Sequence, residues 1–377
     1  MRDIIVFLPG ITGSVLQKDG KDLWAPSNQA VQNFFKSMGD SIQSLKLEED
    51  DYTIDDLGDG ITATSVIQHI QFVPGLVKID VYAPVYKRIH DEFEVTRGKN
   101  YFEFAYDWRR DNRFSARKLE QFINLKLTEW RDSQGYKNAK VILIAHSMGG
   151  LVARYYLEVL GGWKKCRALF TLGTPYRGSV KALGYFANGF QSNFKEKSID
   201  WLIRPTEVMR SLTSLYQLLP IYPMLKVGNN DYQRVAEIDK NKETDKNKET
   251  DKINIPYVEE NRAKDALKFH REIEEQQEIN AGDDEYSKNF LIIPYIGSKQ
   301  KTYQSAVLSG EKLQLSQDLP SSSINDDITF FEEDNDGDGN VPLPQLSLIT
   351  ILTSILVVVF LQKSIQVCKQ TNQYYLI

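Results

Sequence analysis

The chain has 377 residues, of which 41% are hydrophobic and 26% are charged, as is typical of a soluble globular protein. Its formal net charge of -5 argues against binding to nucleic acid. Its two cysteines, Cys166 and Cys368, are too few for a disulfide framework, so we expect a reducing, cytoplasmic compartment.

The apolar run Ile4–Leu8 predicts a buried strand close to the first residue. The run is too short for the hydrophobic region of a signal peptide, and no small-residue cleavage site follows it, so no signal peptide is expected. It ends in the glycine-bearing segment Pro9–Ser14. In serine acyl-transfer enzymes, a loop after an early strand supplies one amide that binds the oxyanion. A simple strand-to-loop turn is the alternative.

Helical and strand-like patterns alternate in the next part of the chain. Helical periodicity covers Tyr82–Phe93, and a strand-like run covers Tyr101–Tyr106 before the polar segment Asp107–Asp111. An amphipathic helix is predicted around 119–130 and is broken by Ser133–Gly135. Strands that alternate with helices indicate a parallel sheet covered on both faces.

The most informative segment is Lys140–Gly150. The apolar, β-branched run Val141–Ala145 predicts a strand, and a helical pattern follows at once from Leu151. Ser147 lies at the turn between them, with small residues at Ala145 and Gly149. A serine on a sharp strand-to-helix turn is the nucleophile elbow of α/β-hydrolases. The alternative is a turn that merely caps a helix.

A further strand is predicted over Ala168–Leu172, and it runs into the loop Gly173–Ser179. In parallel sheets, ligands bind at the carboxyl ends of the strands. The loops that begin at Pro9, Asp107, Ser147 and Gly173 all follow predicted strands. We therefore expect them to meet at one edge of the sheet.

The alternation stops over residues 176–289, which we interpret as a cap inserted into the core. Its aromatic residues either line an acyl-chain pocket or form the cap's own small core. Within it, residues 239–252 repeat a charged six-residue unit twice, a composition that predicts a solvated loop. A charged helix is predicted over Ala263–Gln276. The predicted organisation is core 1–175, cap 176–289, second part of the core 290–345, and an apolar tail 346–377.

The segment Asp334–Pro342 follows the late apolar run Phe290–Gly297. The acid of a hydrolase triad comes after the serine and orients an imidazole, so Asp338 is the candidate and Asp336 the second choice.

The alternative for this segment is a calcium loop, because the spacing of its aspartates matches the opening of an EF-hand. Its twelfth position is Gln345 rather than a bidentate glutamate, and prolines stand where a helix should begin. The pattern therefore argues against calcium, and a serine acyl-transfer reaction needs no metal and no organic cofactor.

Five motifs occur in an order that resembles the lecithin:cholesterol acyltransferase family, which includes phospholipid:diacylglycerol acyltransferases and related phospholipases. They are Pro9–Ser14, Tyr106–Arg109, Ala145–Gly150, Gly173–Pro175 and Gly337–Pro342. The resemblance covers roughly residues 4–345 and implies an α/β-hydrolase fold with a mostly parallel sheet, helices on both faces and an inserted cap.

The resemblance also implies roles for individual residues. Ser147 is similar to the family's nucleophile, Asp338 to its triad acid, and the amides of Ile11 and Met148 to its oxyanion hole. Trp24 resembles a tryptophan that the family places near the lipid, although a buried packing tryptophan is an equal alternative.

The chain departs from the family pattern in its histidines, because the family places the catalytic histidine after the acid. All four histidines precede Asp338: they are His69, His90, His146 and His270. The turn at Ser147 is expected to aim the His146 ring away from the serine. His270 is expected on the solvated face of its charged helix.

The uncharged run 346–361 stands where the histidine-bearing segment is expected. It is interpreted as a tail anchor, a buried terminal element or the product of a frameshift. The last is favoured because the resemblance stops near Pro344.

The sequence predicts a lipid-directed serine acyltransferase or esterase. Its activity is expected to be impaired, because no histidine follows the candidate acid. The acyl group would pass from a lipid ester to an alcohol or to water through an acyl-enzyme. Peripheral membrane contact is left open. The alternatives are an inactive binding protein on a hydrolase scaffold and a hydrolase of non-lipid esters.

Overall fold

The computed structural model describes residues 1–25, 43–73, 77–80, 82–189, 200–228, 231–238, 255–295, 300–320 and 336–337. The strands are β1 (Ile4–Leu8), β2 (Ser14–Lys18), β3 (Lys21–Trp24), β4 (Ile61–Val66), β5 (His69–Val73), β6 (Val77–Asp80), β7 (Tyr101–Glu103), β8 (Val141–His146), β9 (Cys166–Leu172), β10 (Leu225–Val227), β11 (Tyr232–Gln233), β12 (Leu291–Tyr295), β13 (Gln300–Lys301), β14 (Ser305–Ser309), β15 (Lys312–Ser316) and β16 (Asp336–Gly337).

The helices are α1 (Ala83–Glu92), α2 (Asn112–Gln134), α3 (Met148–Glu158), α4 (Val180–Asn188), α5 (Asp200–Ser211), α6 (Thr213–Tyr216), α7 (Glu260–Ala281) and α8 (Asp284–Asn289). Short 3-10 turns cover Gly162–Lys165 and Val235–Glu237. The repeat at 239–252, the tail at 346–377 and Asp338 lie outside the described residues.

The main sheet has five strands in the order β12-β9-β8-β1-β7, and every neighbouring pair is parallel. The predicted parallel sheet is therefore confirmed. Strand β1 lies between β7 and β8, with Phe7 opposite Ile144 and Leu8 opposite Ala145. Such strands are covered on both faces, which explains why their sequences are nearly unbroken apolar runs.

Alternate side chains of β1 enter two separate cores on the two faces of the sheet. Ile4, Val6 and Leu8 belong to the larger core, which also includes residues of α2 and α3. Ile5 and Phe7 belong to the smaller core, with Tyr82 and Ile89 on the side of α1. The strand period of two sends successive side chains to opposite faces, and helices cover both.

The sequence pattern correctly predicted the strands of the parallel sheet, but one of these strands is shorter than predicted. Strand β7 ends at Glu103, whereas the apolar run continues to Tyr106. Tyr106 leaves the sheet because its amide donates to Ser14 Oγ and its hydroxyl donates to the carbonyl of Pro9. These two tertiary hydrogen bonds replace the strand pairing that local pattern predicts.

Helix α7 packs against α3, with the rings of Phe269 and Tyr155 stacked 5.5 Å apart. The solvated position predicted for His270 is wrong, because this residue is only 2% exposed and its Nε2 donates to the carbonyl of Gln217 at 2.8 Å. A narrow stripe on the charged helix is buried: Ala263, Ala266, Leu267, Phe269, His270 and Ile273. His270 belongs to this stripe by helical spacing.

A second sheet, in the order β11-β10-β14-β15, joins two parts of the chain that are distant in sequence. Strands β10 and β11 come from the region interpreted as a cap, and β14 and β15 come from the region interpreted as core. Strand β10 pairs with β14 in parallel, with Lys226 opposite Val307. The boundary between cap and core remains a prediction.

Candidate active site

Ser147 lies alone between the end of β8 and the start of α3, at the carboxyl edge of the sheet. Its φ of 51° and ψ of -124° are rare for a residue with a side chain, and such strain concentrates at functional sites. Its amide donates to the carbonyl of Leu172 at 2.9 Å. Its carbonyl accepts a hydrogen bond from Thr174 Oγ1 at 3.0 Å. The neighbouring strand end therefore holds the turn on both sides.

The loop after β1 touches the Ser147 turn. A Cβ placed on Gly10 would lie 3.0 Å from Ser147 Cβ, so no larger residue fits there without movement. Gly10 itself has both polar backbone groups engaged. Its amide donates to the hydroxyl of Tyr82 at 3.0 Å, and its carbonyl accepts from the amide of Gly13 at 3.0 Å.

Thr12, in the same loop, has a φ of 61°. Ser147 and Thr12 are two of four non-glycine residues with positive φ in the described part of the chain. Trp24 Nε1 donates to the carbonyl of Thr12 at 2.9 Å, and its ring packs edge-on against Trp108 at 5.5 Å. Trp24 is half-buried, so the structure gives it a packing contact and a link to this loop.

Met148 is the first residue of α3, and its side chain is fully buried. The amides in the first turn of a helix have no acceptor within the helix and carry its positive partial charge. Ile11 follows Gly10 in the loop that meets the Ser147 turn. Backbone amides of both segments thus belong to the surroundings of Ser147.

The Tyr106–Arg109 motif forms hydrogen bonds to both ends of the loop after β1. Tyr106 donates to the carbonyl of Pro9 at 2.8 Å, and Trp108 Nε1 donates to the carbonyl of Ser14 at 3.0 Å. Arg109 is fully buried and forms ion pairs with Asp107 at 2.6 Å and Asp59 at 2.8 Å. The predicted meeting of these loops at one edge of the sheet is confirmed.

Tyr82, which the sequence did not single out, contacts the residue before Ser147. Its hydroxyl shares a 2.9 Å hydrogen bond with Nδ1 of His146, and the two rings lie 5.6 Å apart. Burial raises the pKa of Tyr82 to about 12. Tyr82 is 64 residues from His146 in sequence, so no local pattern links them.

The candidate acid is not placed, because Asp338 lies outside the described residues. Asp336, the second choice, is in β16, where it pairs with Lys301 of β13.

In the part of the chain that the structure describes, no group of three His, Cys, Asp or Glu side chains is placed to hold a metal ion. No helix within the same ranges is long and apolar enough to cross a bilayer, and residues 346–361 lie outside those ranges.

Two cavities lie beside the elements that form the site. One, of about 450 Å³, lies between β4 and α2 and is lined by Tyr106, Phe104 and Phe122 among others. The second, of about 340 Å³, lies between α3 and α7 beside Leu151 and His270. Both are in the size range of pockets for small organic ligands.

Several solved structures resemble this chain. A chain of the Tle4–Tli4 complex is 17% identical, with 72% of each chain covered and a TM-score of 0.48. Phospholipase PlaB from Legionella pneumophila is 12% identical, with 57% of this chain and 35% of that chain covered and a TM-score of 0.24. The mature lipase BlEst2 of Bacillus licheniformis is 18% identical, with 55% and 57% covered and a TM-score of 0.20.

No curated protein matches this chain in sequence. The family model described as lecithin:cholesterol acyltransferase matches residues 65–318, which is more than half of the chain. The matched residues include four of the five strands of the parallel sheet, β7, β8, β9 and β12, and the Ser147 turn. The chain therefore belongs to the lecithin:cholesterol acyltransferase family and has the α/β-hydrolase fold that the sequence motifs implied.

Proposed function

We propose that this protein is a serine-dependent acyltransferase or esterase of lipid esters. The observation that carries the proposal is the strained backbone of Ser147 at the end of a central parallel strand, against the loop at Gly10. Membership of the lecithin:cholesterol acyltransferase family supports a lipid ester as the acyl donor. A phospholipid or an acylglycerol has the ester chemistry that this site requires.

In the proposed reaction, Ser147 Oγ attacks the ester carbonyl carbon while its proton passes to a base. The carbonyl oxygen becomes an oxyanion, which the amides of Ile11 and Met148 stabilise. The tetrahedral intermediate then expels the alcohol, which takes up the proton, and leaves the acyl group on Ser147. Water or an alcohol acceptor attacks this acyl-enzyme in the second half of the reaction.

The proposal assigns the triad acid to Asp338 and a place near the lipid to Trp24. In a triad, the acid orients an imidazole that serves as base. Every histidine of the sequence precedes Asp338, unlike the family arrangement. His270 is buried and bound to a backbone carbonyl, and its pKa is lowered to about 4 by burial. Turnover by this chain is therefore expected to be slow relative to a complete triad.

A fluorophosphonate probe tests the serine. Oγ of an activated serine displaces fluoride from the phosphorus and keeps the phosphonyl group, so the adduct is found by mass spectrometry. We expect one adduct per chain, on Ser147, and none in the Ser147→Ala variant. Ser309→Ala, which removes an exposed serine from β14, is the matched control and should be labelled like the native chain.

The outcomes separate the candidate functions. Folded native protein that is not labelled would contradict the enzyme and favour a binding protein on the hydrolase scaffold. If labelling occurs, turnover of long-chain and short-chain p-nitrophenyl esters is compared. Preference for the long chain supports a lipid ester, and preference for the short chain supports a hydrolase of non-lipid esters.

A further inference from the structure

Tyr82 reaches the site from outside the segments that carry the family motifs. It directly precedes α1, on the face of the sheet opposite α3, and is 5% exposed. Its ring packs against Phe7 of β1, with ring centres 5.0 Å apart. A Cβ on Gly13 would lie 3.1 Å from the Tyr82 ring, so the loop after β1 closes directly over it. The ring is held by packing, independently of its hydroxyl.

The hydroxyl of Tyr82 has a defined hydrogen-bond direction. It accepts from the amide of Gly10 at 3.0 Å, and an amide can only donate. Its single proton is therefore available for Nδ1 of His146, 2.9 Å away. Nδ1 is then an acceptor, and a neutral His146 carries its own proton on Nε2. One phenol oxygen thus links the loop after β1 to the residue before Ser147.

The hydrogen bond from the Gly10 amide to the Tyr82 hydroxyl helps to fix one peptide plane of the loop. The Pro9–Gly10 peptide is held at its oxygen by Tyr106 and at its nitrogen by Tyr82. The next peptide, Gly10–Ile11, is held at its oxygen by the amide of Gly13. Because a trans peptide is planar, its N–H points opposite to its C=O, so the bond from Gly13 orients the Ile11 amide, while the bonds of Tyr82 and Tyr106 hold the peptide from which that plane starts.

Resting on the proposed function, we propose that Tyr82 is a positioning residue for acyl transfer: its hydroxyl holds the Gly10 amide and thereby aims the Ile11 amide at the oxyanion formed on the Ser147 ester. An oxyanion donor lowers the barrier only when it is fixed before charge develops. Without the hydroxyl, the Pro9–Gly10 peptide keeps one of its two anchors. The Gly10–Ile11 peptide keeps its bond to the Gly13 amide, but it now follows a peptide that can turn, so the Ile11 amide also samples directions that do not meet the oxyanion.

The test is Tyr82→Phe, which removes the oxygen and keeps the ring. We measure phosphonylation of Ser147 by a fluorophosphonate as a maximal rate, kinact, and a half-saturating concentration, KI. The inference predicts that kinact falls by about tenfold to a hundredfold, below the loss seen when an oxyanion donor is removed outright. KI should stay within about twofold, since no contact with the free probe is removed.

The matched control is Tyr222→Phe. Tyr222 is also buried, and its hydroxyl donates to the carbonyl of Gln304 at 2.9 Å in a different part of the fold. The Tyr222→Phe variant should lose about as much stability as Tyr82→Phe, and its kinact should equal that of the native protein. A merely structural role for Tyr82 would lower kinact no more than Tyr222→Phe does.

A second readout does not depend on catalysis. With ring-15N histidine, Nδ1 of His146 in the native protein should show the shift of an unprotonated nitrogen that accepts a hydrogen bond. In Tyr82→Phe this shift should move, while the other three histidines keep theirs. Assignment of the signal uses His146→Gln.

The results separate this inference from the proposed function. Native protein that is labelled on Ser147, with an unchanged kinact in Tyr82→Phe, overturns the inference alone. An unchanged His146 shift in Tyr82→Phe also overturns it. Native protein that is not labelled overturns the proposed function, and the inference with it.

Discussion

Gly149 lies so close to Pro9 that a Cβ on the glycine would stand 2.4 Å from the Pro9 carbonyl oxygen. The neighbouring carbonyl of Leu8 would be 3.0 Å from the same Cβ. Helix α3 therefore begins in backbone contact with the end of β1. This contact places the first amides of the helix beside the loop that carries Ile11.

Gly149→Ala should destabilise the protein by about 1–3 kcal/mol, because the added methyl group meets backbone that has no rotamer with which to yield. The free energy of unfolding in urea measures the loss. Gly282→Ala is the control: its Cβ would be 3.4 Å from the nearest atom, at a φ of -75° that alanine adopts readily. That variant should unfold within about 1 kcal/mol of the native protein. Equal stabilities for the two variants would contradict the contact.

Local sequence pattern was enough to predict the central sheet and the Ser147 turn. Buried parallel strands such as β1 and β8 are continuous apolar runs, and the turn adds small residues at fixed offsets. These features depend on a few consecutive residues. The family resemblance, which the match over residues 65–318 confirms, rested on the same short motifs.

The contacts of Tyr82 and His270 could not be predicted in this way. Tyr82 reaches His146 across 64 residues, and its neighbours in sequence give no sign of that contact. His270 lies in a helix whose charged composition hides a narrow buried stripe. In both cases tertiary packing decides the environment, and a single sequence does not contain that packing explicitly.

Trp24→Phe should lower stability by about 1 kcal/mol, because the variant keeps a ring against Trp108 and loses the hydrogen bond to the Thr12 carbonyl. It should also slow phosphonylation of Ser147, since Thr12 belongs to the loop that carries Ile11. Thermal unfolding and the fluorophosphonate rate measure the two effects.

Trp130→Phe is the control for Trp24, because it loses a similar hydrogen bond, 2.8 Å long, to the carbonyl of Arg2. Its stability loss should be comparable and its labelling rate unchanged. If both variants are labelled at the native rate, Trp24 does not support the loop.

Cys166 should be unreactive in the folded protein. It is fully buried, and burial raises the pKa of its thiol to about 12. At pH 8 only about one molecule in ten thousand would hold the reactive thiolate. In the Cys368→Ser variant, which leaves Cys166 as the sole thiol, a disulfide reagent should release less than a tenth of an equivalent of chromophore over an hour. In guanidinium chloride the same variant should release one full equivalent, and rapid release from the native state would contradict the burial.

His270 should make stability fall as the pH is lowered from about 6.5 towards 4. Burial, with the charges of Arg154 and Arg113, lowers its pKa in the folded protein from 6.5 to about 4. Between these values the unfolded chain binds a proton that the folded chain does not, so acid favours unfolding. The contribution is fully present above pH 6.5 and declines by about 3 kcal/mol as the pH falls to 4.

His270→Gln tests this, because a glutamine amide can donate to the Gln217 carbonyl but does not titrate in this range. Unfolding free energies in urea at pH 7 and pH 4 are compared between variant and native protein, so that the carboxylates common to both cancel. The native protein should lose about 3 kcal/mol more than the variant. His90→Gln, at a half-exposed position of α1, is the control substitution and is measured at the same two pH values. Parallel pH profiles for His270→Gln and the native chain would show that His270 takes up its proton as readily in the folded state as in the unfolded state.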